Sequence, residues 1–170
     1  MLYQYATPTS WNWSGAQLVI FNNVGGIWPM AEDGQQYVDI GNIANYTSLY
    51  QNFTVTAGGL YQFTWYNNTA SGNPDPSPYS IDVLNSSQTS VGNASFDANT
   101  GGNWAGQTFS LNLTPDTYTL SFASQGSLYD TLLDNVSVTS STSQVPEPAT
   151  FALMSLGLAG MCFDKRRKLT

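Results

Sequence analysis

Leu60-Tyr61-Gln62-Phe63-Thr64-Trp65-Tyr66-Asn67 alternates large apolar and polar side chains. In an extended chain a period of two puts Tyr61, Phe63 and Trp65 on one face and Gln62, Thr64 and Tyr66 on the other, the pattern of a strand buried on one side. Trp65 is therefore read as core and Tyr66 as outward. The same alternation recurs downstream. Phe109, Leu111 and Leu113 share one face, and so do Tyr118, Leu120 and Phe122, with Thr119 and Ser121 opposed. No window holds an apolar period near 3.6, so the body of the chain reads as all-β. The predicted strands are Gln17–Phe21, Gln35–Ile40, Leu49–Thr56, Leu60–Asn67, Tyr79–Leu84, Gln107–Leu113, Thr117–Ala123 and Leu132–Thr139.

The connections between them are marked by turn chemistry. Ala57-Gly58-Gly59 reads as a hairpin, and Thr114-Pro115-Asp116 as a second tight connection. Asn73-Pro74-Asp75-Pro76-Ser77-Pro78 is a loop, because alternating prolines deny a ladder its N–H groups. Asn99-Thr100-Gly101-Gly102-Asn103 is another, just ahead of Trp104. About eight strands joined this way predict a two-sheet β-sandwich of jelly-roll type over residues 1–139, followed by a polar linker at 140–144.

Charge narrows the function. All four cations of the chain form one run, Lys165-Arg166-Arg167-Lys168, and there is no histidine. Of the eleven acids, Glu147 and Asp164 lie near that run and the other nine lie in the body. A body with nine acids and no base repels phosphate backbones, so nucleic acid is excluded as a partner. Its buried carboxylates must find N–H donors or a metal, since no internal salt bridge can form. Without His, Cys or Lys the body also lacks the nucleophile–base pairs of hydrolases and the nitrogen and sulfur ligands of zinc sites. The single cysteine, Cys162, lies in the apolar C-terminal run and reads as a small filler. Only a carboxylate-pair glycosidase stays open as a catalytic alternative, with Glu32 and Asp33 as its one adjacent pair, although neighbours in a strand diverge to opposite faces.

The last 26 residues, 145–170, are a different kind of sequence. Val145-Pro146-Glu147-Pro148 precedes an uncharged apolar run, Phe151 to Phe163, and the basic run closes it. As a helix that run is about 20 Å long against a hydrocarbon core of about 30 Å; extension to 149–164 and snorkelling cations make a short span, with Lys165, Arg166, Arg167 and Lys168 on the cytoplasmic side. Motif, apolar run and basic stop together resemble a PEP-CTERM tail. That resemblance implies a Gram-negative bacterium with an exopolysaccharide system and an exosortase that cleaves near Pro146-Glu147-Pro148. It further implies an exported, membrane-held precursor that ends on the cell surface or in the matrix. Such proteins begin with a secretory signal peptide. Met1 to Ser10 has neither a basic start nor an apolar run, so a start lost or misassigned upstream is expected.

The body has a looser resemblance, carried by Trp11 to Phe21, Trp28, Asp33 to Asn42, Tyr50 to Gly58 and Leu133 to Val138. These stretches are similar to galactose-binding-like choice-of-anchor domains, which implies a sandwich related to carbohydrate-binding modules on a cell surface. The family's opening strand is not visible here. Relatives of this fold often hold a structural calcium between first and last strands, and Asp134 is the candidate ligand. It shares parity with Val136 and Val138 and so is expected to point inward; a turn-capping Asp is the competing reading. Asp33 and Asp39 read as solvated surface. Trp28 and Trp104, both in loops, are the candidate sugar-stacking residues, with Tyr66 a weaker one. No cofactor beyond that calcium is implied. A glycan-binding module and a structural matrix or biofilm component without a ligand are not separated by sequence. A Thr-rich β-solenoid for ice lacks the regular repeat it requires.

Overall fold

The computed structural model describes residues 10–15, 18–23, 25–41, 47–73, 75–99, 101–126 and 129–141. Its ten strands are β1 (Asn12–Gly15), β2 (Val19–Asn22), β3 (Gln36–Asp39), β4 (Thr47–Val55), β5 (Gly59–Asn68), β6 (Ser77–Leu84), β7 (Ser90–Ala98), β8 (Ala105–Leu113), β9 (Asp116–Ser124) and β10 (Leu132–Ser141). They form two five-stranded sheets, ordered β1-β4-β9-β6-β7 and β2-β3-β10-β5-β8. The expected all-β sandwich is present, with two strands more than the alternation predicts.

The alternation that predicts β5 also builds the core. Phe63 and Trp65 are fully buried between the sheets, as are Tyr79, Ile81 and Phe122 from β6 and β9. The Trp65 ring meets Phe96 at 4.9 Å and Phe122 at 5.4 Å, both edge to face. Such pairs add about 0.5–1.5 kcal/mol each beyond their buried area.

Two strands escape a sequence reading for physical reasons. β1 is exposed along its length and lies at the edge of its sheet. β7 turns Gly92 and Ala94 inward, which carry no apolar bulk to mark the face. Gly92 has a packing reason: a Cβ there would run into the methyl groups of Leu111 on β8 in the opposite sheet.

The connection at Ala57-Gly58-Gly59 is not a hairpin. β4 and β5 belong to different sheets, so it carries the chain across the sandwich, and Thr114-Pro115 does the same between β8 and β9. Turn residues report a reversal but not the sheet that receives the next strand. A tight hairpin stands instead between β6 and β7, where the Asn85 side chain accepts the N–H groups of Ser87 and Thr89.

The chain divides into two units, Met1–Ser140 and Ser141–Thr170. The expected C-terminal helix, the sorting motif Val145–Pro148 and the cations Lys165–Lys168 lie outside the described residues. Among the described residues no helix is long and apolar enough to cross a membrane.

Candidate functional site at the loop apex

Three connections converge at one end of the sandwich. The β2–β3 and β5–β6 loops are joined where Ser71 N donates to Ile27 O at 2.6 Å. The β7–β8 loop is tied to the first by Trp104, whose Nε1 donates to Met30 O at 2.7 Å. Gly102, at φ 77°, lies against Ser71, and a Cβ on it would come within 3.1 Å of the serine Cβ. The left-handed backbone and the close approach both call for glycine there.

Four aromatic rings run through this apex. Trp28 lies on Phe21 at 4.5 Å, Phe21 stacks on Tyr37 at 5.1 Å, and Tyr37 and Trp104 meet edge to face at 5.4 Å. The middle two are buried and the two tryptophans half-exposed, with Val19 and Leu132 completing the apolar cluster. Ile27 and Met30 beside them are 62% and 56% exposed. The structure thus brings Trp28 and Trp104 onto one cluster. Tyr66 is not part of it: it stands half-exposed on the outer side of β5, opposite Gly106. Phe21, Tyr37, Ile27 and Met30 are absent from the sequence-based candidates. The one signal for them is the loop composition Asn22-Asn23-Val24-Gly25-Gly26-Ile27-Trp28-Pro29, which sets apolar residues among turn formers.

A buried polar chain holds the apex from below. The Tyr79 hydroxyl accepts from Trp65 Nε1 and from Asn67 Nδ2, both at 2.7 Å. Asn67 Oδ1 accepts from Asn99 N at 3.2 Å, and Asn99 Nδ2 donates to Asn103 O at 2.7 Å, one residue before Trp104. Burial pushes the Tyr79 phenol up to about 12, against the opposing effect of the Trp65 and Asn67 donors, so it stays neutral at ordinary pH.

Asp134 clasps the β2–β3 loop. Its Oδ2 accepts from Glu32 N at 2.7 Å and Asp33 N at 3.1 Å, and its Oδ1 from Asn135 N at 2.7 Å. Asn135 Nδ2 in turn donates to Glu32 Oε2 at 2.9 Å. The alternation expected for Asp134, Val136 and Val138 is interrupted here. Asn135 has φ 48°, and Leu133 packs in the same core as Val136 and Val138. Partial burial raises the Asp134 carboxyl above its ordinary range, with the three N–H groups working the other way and the Glu32 charge adding to the rise. Calcium needs a cage of oxygens, whereas both Asp134 oxygens face N–H donors. Among the described residues no three His, Cys, Asp or Glu side chains come together. In the described residues the Asp134 carboxylate is a clasp for backbone N–H groups.

Asp39 differs from its sequence reading as solvated surface. It is 6% exposed, because β3 is enclosed between β2 and β10, and its Oδ1 accepts from Gly41 N at 2.7 Å. Burial, and then the Asp130 charge, hold its carboxyl well above the usual range. Asp33 is exposed, as expected. A cavity of about 260 Å³ is lined by Trp11, Ile20, Leu49, Leu133, Asp134 and, from the aromatic cluster, Tyr37; neither Trp28 nor Trp104 lines it.

This fold is shared with carbohydrate-binding modules. TmCBM61, solved in complex with β-1,4-galactotriose, is similar at TM-score 0.60 and 11% identity, over 78% of this chain and 89% of that one. The CBM22-1 xylan-binding domain of Paenibacillus barcinonensis Xyn10C is similar at TM-score 0.52 and 12% identity, over 80% and 89%. A family 35 carbohydrate-binding module from Clostridium thermocellum is similar at TM-score 0.52 and 19% identity, over 76% and 98%. At these identities the likeness is one of fold. Residues 144–167 match the PEP-CTERM protein-sorting motif, so the tail is a sorting signal of that kind. No curated protein matches the sequence.

Proposed function

We propose that this is an exported surface or exopolysaccharide-matrix protein whose body is a non-catalytic glycan-binding module. Its tail is recognised by an exosortase-type enzyme at Val145-Pro146-Glu147-Pro148, while the apolar segment 149–164 sits in the membrane and Lys165–Lys168 stay on the cytoplasmic side. The sorting-motif match at 144–167 supports the delivery. The observation that carries the binding reading is the convergence of Trp28 and Trp104 on one half-exposed aromatic cluster, at the loop apex of a sandwich shared with glycan binders. Indole faces and exposed apolar side chains suit the C–H faces of sugar rings, and loops are where such scaffolds carry binding residues. The adjacent pair Glu32 and Asp33 is engaged with the β10 residues Asp134 and Asn135. Glu32 is held by Asn135 and Asp134 by backbone N–H groups.

The competing reading, a matrix component without a specific ligand, draws on the half-buried state of both tryptophans, which also close the cluster over Phe21 and Tyr37. Glycan-array binding by the full chain in detergent micelles decides between them. Trp28→Ala and Trp104→Ala are each expected to weaken binding by about 2 kcal/mol, the scale of an aromatic hot spot. A folded protein that binds no glycan, or binds equally well in both variants, refutes the glycan reading. Export is tested by a reporter fused after Thr170, which must face the cytoplasm in the unprocessed precursor.

A further inference from the structure

We infer that the aromatic apex takes an uncharged glycan and rejects polymers bearing uronate or sulfate; this rests on the glycan-binding reading and names the charge class of its ligand. The first support is electrostatic. The loop that carries Trp28 and Met30 also carries Glu32 and Asp33, and Asp134 is bound to its backbone. No Lys, Arg or His occurs before residue 165, so no side chain of the body can pair with an anionic sugar. Recognition of carboxylate or sulfate draws on charge-assisted bonds from Arg or Lys. Here a ligand anion meets three carboxylates in the neighbourhood and no cation of the body.

The second support is the disposition of donors. The Trp104 indole N–H is taken by Met30 O, and the Asn99 amide by Asn103 O. Tyr37 is buried between two rings, and the exposed groups of the apex are the apolar Ile27 and Met30 with the uncharged Ser71 and Asn103. Gly25, Gly26 and Gly101 leave open space where a side chain would stand, so a ring can approach the backbone closely. Such a surface accepts the apolar face of a neutral pyranose. It offers an anion neutral donors such as Ser71 and Asn103 but no cation to offset the loss of its water.

The test uses matched polymers: soluble β-1,4-glucan, β-1,4-xylan and β-1,4-galactan, each neutral and carboxymethylated, against the full chain in detergent micelles with EDTA to remove bridging cations. Binding to at least one neutral form is expected. Its carboxymethylated partner should bind about tenfold more weakly at low salt, the effect of a few like charges within a Debye length, and the gap should close as salt is raised. Asn103→Arg, which places a cation beside Trp104 at an exposed position, should restore much of the binding to the carboxymethylated form. Equal or tighter binding of the acidic form by the unaltered protein overturns the inference and leaves the glycan reading standing. Binding of neither form, or binding unaffected by Trp104→Ala, overturns both.

Discussion

Tyr79→Phe removes one oxygen from the centre of the molecule. The ring stays in place between β6 and its neighbours, since Tyr79 is wholly buried and stacks on Phe96 at 5.8 Å. What is lost is the acceptor for two N–H groups, Trp65 Nε1 and Asn67 Nδ2, each at 2.7 Å. Trp65 Nε1 is then buried without an acceptor, while Asn67 Nδ2 keeps a weaker bond to Asp97 O at 3.1 Å. A stranded buried donor costs about 1–3 kcal/mol, so the first counts in full and the second in part, for a loss of about 2–4 kcal/mol. Urea unfolding of the full chain in micelles, followed by tryptophan fluorescence, should show a lower midpoint with an unchanged slope. The backbone amide of Asn99, held by Asn67, should exchange faster in the variant. A loss below about 0.5 kcal/mol, with Asn99 protection intact, would refute the view that this hydroxyl organises the core and steadies the loop before Trp104.

Two further outcomes follow from the acids. Asp39, ordinarily at 3.8 when free, is raised in the folded state. The folded protein therefore holds a proton that the unfolded chain has released, so stability falls as pH rises from about 4 toward the folded value. Asp39→Asn, which keeps the acceptor for Gly41 N, should flatten that slope and be the more stable form at neutral pH; urea midpoints at pH 4.5 and 7.5 decide it. Asp134→Ala strands the N–H groups of Glu32, Asp33 and Asn135 and should cost about 1–3 kcal/mol, less than their sum because exposed amides recover water. It should also raise amide exchange in the β2–β3 loop. EDTA should leave the melting temperature of the unaltered protein unchanged, and a rise on adding calcium would overturn the account of Asp134 as a loop clasp.

Sequence and structure agree wherever side chains are large. β5, β8, β9 and β6 are legible because Phe63 and Trp65, Leu113, Phe122 and Ile81 fall on alternating apolar faces, and the core is made of those same residues. Trp28 and Trp104 are legible as loop residues because glycine, proline and asparagine surround them. Legibility fails where the inward residue is small, as at Gly92 and Ala94, or where the alternation breaks, as at Asn135 with its left-handed backbone. It fails again at Asp39, since burial of an acid depends on strands far away in sequence. That Phe21 and Tyr37 link the two tryptophans could not be read from spacing, because the link depends on β2 pairing with β3 and on the 99–104 loop folding back over both.

The order of strands sets when this body can fold. β10 is the last strand to be made, yet it stands in the middle of its sheet between β3 and β5. The partner sheet is likewise held together by β9, which pairs with both β4 and β6. Neither sheet can be completed from an early fragment, and seven of the nine connections between successive strands cross from one sheet to the other, which makes most of the contacts distant in sequence. Chains with such topology fold slowly. A nascent chain short of residue 141 therefore lacks the complete strand that closes its second sheet. The strand that closes the second sheet is therefore made directly ahead of residues 144–167, which match the sorting motif.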